Sequence, residues 1–123
     1  MFLLDKLAAY VLYLSHQMKG VDTMINLLKN LKNNDGLTLK DSQPIEYKTG
    51  WQVADYGYEC KTIEEAAAAI QKMNGNCGVW LENGIYYVDH SFRVDTKKEA
   101  IAIGREHNQI SVFGWKRKNL AYC

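Results

Sequence analysis

Val53-Ala-Asp-Tyr-Gly-Tyr-Glu-Cys-Lys-Thr62 and Tyr87-Val-Asp-His-Ser-Phe-Arg-Val-Asp-Thr96 align without a gap at an offset of 34 residues. The offset carries Asp55 onto Asp89, Tyr58 onto Phe92, Glu65 onto Glu99, Ala66 onto Ala100 and Asn74 onto Asn108. A constant offset of this length is the mark of one supersecondary unit written twice. In each copy an aromatic-rich run with strand composition leads into a capping box, Thr62-Ile-Glu-Glu65 and then Thr96-Lys-Lys-Glu99. The threonine oxygen can accept from the amide three residues on, and the glutamate can reach back, so each box starts a helix.

Residues 51–59 read as a strand and residues 66–73 as a helix with a small-residue face. Residues 77–81 read as a strand and Asn83-Gly84 as a two-residue hairpin turn, where both positions must accept positive φ. Residues 85–94 form the third strand, and a helix runs from the second box to about His107. Residues 110–115 form the fourth strand. Residues 116–119 turn, and residues 120–123 can add a short fifth strand. The expected fold is α+β: a duplicated β-α-β, closing as a ferredoxin-like antiparallel sheet with two helices, preceded by a long N-terminal helix. The two aromatic-rich strands would lie side by side, and one sheet face would stay open for the N-terminal helix, another subunit or a ligand.

That N-terminal helix is read from Leu4, Leu7, Val11, Leu14, Met18, Val21, Ile25 and Leu28, an unbroken alternation of three- and four-residue steps. Such a seam calls for a partner, and copies of the same chain are the simplest one. Gly20 inside it either costs about 1 kcal/mol or marks a break. Asn33-Asn-Asp-Gly36 stops the helix. The expected organisation is therefore a heptad oligomerisation helix over 1–33, a linker over 34–49 that can include a short edge strand, and an α+β core over 50–123.

Composition excludes several classes. The chain of 123 residues has 47% hydrophobic and 24% charged residues and a net charge of +1, so no global field draws polyanions and no stable nucleic-acid complex is expected. The apolar run over residues 7–14 is too short to cross a membrane. A cytoplasmic protein is expected, in the host cytoplasm if phage-encoded, with Cys60, Cys77 and Cys123 as free thiols. No CxxC, HxxxH, GxGxxG or GxxxxGK[ST] spacing occurs, so neither metal, cofactor nor phosphate-loop chemistry is predicted. Asp89-His90-Ser91 resembles a catalytic triad in a row, but successive strand residues face opposite ways. Trp115-Lys-Arg-Lys118 can grip phosphate or guard a sheet edge. Phe92, Arg93, Arg105 and Asn108 combine a stacking face, guanidinium forks and an amide, the groups that hold a nucleotide. Against this, Phe92 can be core, Arg93 solvated and Asn108 a helix cap.

Gly78-Val-Trp-Leu-Glu-Asn-Gly84, Tyr86-Tyr-Val-Asp-His-Ser-Phe-Arg-Val94, Glu99-Ala100 and His107-Asn-Gln-Ile-Ser-Val112 resemble a family of small phage and prophage proteins. The resemblance spans residues 50–123 and extends to phage anti-defence proteins, the Thoeris anti-defence sponges in particular. It implies a non-enzymatic homo-oligomer that sequesters a cyclic ADP-ribose-type nucleotide signal without cleaving it. Phe92, Arg93, Arg105 and Asn108 are then the expected ligand contacts. Two alternatives stand beside it: a protein-binding inhibitor of a host defence enzyme, and a small metal-dependent hydrolase using Asp55 and Asp89.

Overall fold

The computed structural model describes residues 20–123. The described chain is helical from residue 20 to residue 28 (α1). It continues through β1 (Gly36–Lys40), β2 (Gln43–Pro44), β3 (Trp51–Cys60), α2 (Ile63–Lys72), β4 (Cys77–Glu82), β5 (Ile85–Val94), α3 (Lys97–Glu106), β6 (Ser111–Gly114) and β7 (Asn119–Tyr122). The strands form one sheet in the order β2-β1-β4-β5-β3-β6-β7, antiparallel at every pairing.

This architecture corrects the expected one. A four-stranded ferredoxin-like sheet with two helices does not form: the sheet has seven strands, and three helices lie among the described residues. The helix expected over 1–33 ends at residue 28, and its described part covers residues 20–28. Leu4, Leu7, Val11, Leu14 and Met18 of the heptad seam lie outside the described residues. The extra edge comes from the segment read as a linker. Leu37 and Leu39 alternate with Thr38 and Lys40, and β1 pairs with β4. Asp41 and Ser42, at φ 49° and 67°, turn the chain into β2.

Local chemistry sets the element limits. Thr62 and Thr96 cap α2 and α3, each oxygen accepting from the amide three residues on at 3.1 and 3.2 Å. The glutamates close the boxes differently: Glu65 accepts from the Lys61 amide, Glu99 from the Thr96 hydroxyl. Asn74 and Asn108 take left-handed φ values of 54° and 56° just past the two helices. Asn83-Gly84 supplies the paired positive φ of the β4–β5 hairpin.

All three helices cover one face of the sheet. Met24 and Leu28 of α1 and Ala66, Ala67 and Ile70 of α2 pack on Leu39, Cys60, Cys77, Val79 and Val88. Ala100 of α3 packs on Val53, Val112 and Phe92. Burying a side chain such as Leu28 or Ile70 stabilises the fold by ~1.5–3 kcal/mol each. The described end of the heptad seam therefore docks on its own domain, with Val21 and Ile25 also against that core.

The β3–β5 pairing runs from Cys60↔Tyr86 to Trp51↔Val94 and brings Tyr56 opposite His90, positions equivalent under the 34-residue offset. A local two-fold axis thus passes between them. Beyond that pair the register steps by one, so that Ala54 faces Ser91 and Asp55 is the extra residue of a bulge.

Candidate functional site

Among the described residues, the sheet face opposite the helices carries a trough of about 940 Å³. Strand alternation builds it: Val88 and Phe92 of β5 enter the core, so Asp89 and Ser91 face the trough. Gln52 and Ala54 of β3 and Gly78 of β4 complete the floor. Trp80, Ile45, Phe113 and Trp115 form apolar walls. Phe113 meets Trp115 edge-on with ring centroids 5.0 Å apart. Gly78 keeps the floor low, since a Cβ there would meet only the Ser91 hydroxyl, at 3.8 Å.

A directed chain of hydrogen bonds crosses the floor. Trp115 Nε1 donates to Gln52 Oε1 at 3.2 Å, and Gln52 Nε2 donates to Ser91 Oγ at 3.0 Å. The indole can only donate, which fixes the orientation of the amide. Ser91 Oγ is therefore an acceptor towards Gln52 and keeps its own proton to give.

Asp89 stands next to this chain without a hydrogen-bond donor among the described residues. Its carboxylate lies over Gly57, where a Cβ would overlap it. Burial raises its pKa above the usual 3.8. Among the described residues two other ionisable side chains line the trough, Glu46 and Lys118, and they pair with each other.

The residues predicted for a nucleotide site do not meet in one place. Phe92 packs in the α3 core. Arg93 holds the segment before β3: Nε donates to the Thr49 carbonyl at 2.9 Å, Nη1 to Asp95 at 2.7 Å, and the guanidinium lies 5.5 Å from the Tyr47 ring centroid. Phe92 and Arg93 border a smaller hollow of about 400 Å³. Arg105 is exposed on α3, and of the four only Asn108 borders the trough.

Asp55 and Asp89 diverge. Asp55 Oδ1 shares a 2.7 Å hydrogen bond with His90 Nδ1 on the helix-covered face, and the Tyr56 ring stacks on that imidazole at 5.1 Å. The bulge turns Asp55 to that side while Asp89 stays on the other, so the two carboxylates share no cation position. Among the described residues no three His, Cys, Asp or Glu side chains gather for a metal. The three cysteines are free thiols. Burial and then the charge of Asp89 push the Cys77 thiol up to about 12, and burial followed by Glu65 raises Cys60, so neither is a ready nucleophile.

Gln52, Asp89, Ser91, Trp80 and Trp115 escaped prediction as a group. For Gln52, Trp80, Asp89 and Ser91 the signal is every second residue of β3, β4 and β5, legible only once the core-facing positions are known, and Trp115 joins them from the turn after β6. Compared with protein-family models, curated proteins and solved structures, the chain has no significant match in any of the three. No described helix is long and apolar enough to cross a membrane.

Proposed function

We propose that this protein is a non-enzymatic binding protein that holds a small nucleotide signal in the trough of its open sheet face. One observation carries the reading: a single concave surface joins aromatic walls to a short row of oriented polar groups, the usual make-up of a small-molecule site. A base suits the aromatic walls. Phosphates would lie toward the β6–β7 turn, residues 115–118, which carries the exposed Lys116 and Arg117. The sponge of cyclic ADP-ribose-type signals is the specific form suggested by the resemblance to phage anti-defence proteins. Capture without cleavage accords with the divergence of Asp55 and Asp89 and with the protonated, buried thiols.

Thermal-shift measurements against cyclic ADP-ribose isomers and cyclic oligonucleotides test this function. A true ligand at 100-fold above its Kd stabilises by about 2.7 kcal/mol. Gly78→Leu, which fills the floor, should fold and lose that shift. No stabilisation by any member at millimolar concentration rejects the proposal.

A second reading, an inhibitor that docks on a host protein, is favoured by the apolar rim. Trp80, Ile110 and Leu120 line the trough at 45%, 80% and 55% exposure. Loss of inhibition in Trp80→Ala, with no response to any nucleotide, would select it.

A further inference from the structure

We propose that the trough floor selects a guanine-type base, reading its hydrogen-bonding edge with Ser91 and Asp89. This rests on the trough being a nucleotide site but not on the cyclic ADP-ribose form, whose base is adenine; it adds which base the site accepts and points to the guanine-bearing cyclic oligonucleotides of the same screen.

Ser91 Oγ receives the Gln52 amide proton, because Trp115 fixes the Gln52 orientation. The hydroxyl proton remains to be donated, and Ser91 is buried at 6% exposure beneath the trough. Two residues along β5, on the same face and ~6.7 Å away, Asp89 presents two carboxylate oxygens that only accept when ionised. The floor thus reads donor, acceptor, acceptor. A guanine edge reads acceptor, donor, donor, through its ring carbonyl, ring N–H and exocyclic amine. The two sequences are complementary in order. Adenine puts a ring-nitrogen acceptor against the carboxylate, and hypoxanthine lacks the amine, so each leaves a half-buried charged oxygen short of a donor.

Charge supports the same assignment. Glu46 and Lys118 neutralise one another, which leaves the Asp89 carboxylate as the unbalanced charge of the lining. Burial makes that charge costly, as its raised pKa records, and two N–H donors from a ligand would relieve the cost.

The probes are GMP, IMP and AMP, which share ribose and phosphate and differ only at this edge. Calorimetric titration of the full-length protein should give GMP an affinity about tenfold or more above IMP and AMP, the ratio expected when a charged hydrogen bond is lost. Asp89→Asn replaces one acceptor by a donor and should collapse that preference, and Ser91→Ala should weaken GMP and IMP together. The fold of each variant is checked by its melting transition. Equal binding of all three nucleotides, abolished by Gly78→Leu, overturns the base selection and leaves a nucleotide site in place. Absence of binding by all three, in a protein that still responds to a cyclic nucleotide, also overturns it. Absence of any nucleotide response overturns both readings.

Discussion

Asp89 carries opposed demands. Folding takes its carboxylate out of water without giving it a donor, and the pKa rises in consequence. An acid whose pKa is raised by folding contributes stability fully present below its unfolded value. That contribution is lost as pH rises through the folded value. Asp89→Asn, neutral throughout, should therefore be more stable than the parent at pH 7 in urea denaturation. The gain should shrink on acidification and vanish below the ordinary carboxyl value of 3.8. A gain independent of pH would trace to packing instead of charge. Asp89 could not be recognised from sequence as the unpaired carboxylate. Its repeat partner Asp55 is the same residue type at the equivalent place of the repeat, and a one-residue register step sends the two to opposite sides of the sheet.

At the scale of elements, the sequence was most legible where chemistry is local. Two threonines, two asparagines and one Asn-Gly pair fix the ends of α2 and α3 and the β4–β5 hairpin. Thr62→Ala and Thr96→Ala should each cost about 1 kcal/mol by chemical denaturation. The caps share no partner, so the double variant should lose nearly the sum. A loss confined to one variant would mean that the other helix is held by packing alone. β1 and β2 were harder to read. A five-residue run with two leucines, followed by Asp41-Ser42 instead of a glycine turn, gives weak local signals. β1 is instead secured by long-range pairing to β4 and by burial of Leu39 in the first core cluster.

At the scale of the molecule, the 34-residue offset marks element starts but not the strand total. Trp51 and Ile85 both open strands, and Ile63 and Lys97 both open helices, at that spacing. The offset carries no information about β1 or β2, and although Asn119 of β7 follows Ile85 at the same spacing, β7 pairs with β6 at the far edge, so these strands widen the sheet on both sides. The breadth matters for the candidate site, because β1 and the segment before β3 raise one wall of the trough and the β6–β7 end raises the other. The site is therefore a property of the whole sheet, and the four residues chosen for their chemistry alone fall at separate places around it.

The bulge at Asp55 also fixes a stoichiometry. A perfectly symmetric strand pair would set Asp55 opposite Ser91, on the same face as Asp89, and the axis beside Tyr56 and His90 would generate two matching half-sites. The inserted residue sends one carboxylate through to the far side of the sheet. One copy of the proposed binding face then remains in the duplicated pair. Titration should saturate at one ligand per chain, and a value of two would mean that both halves of the repeat still bind.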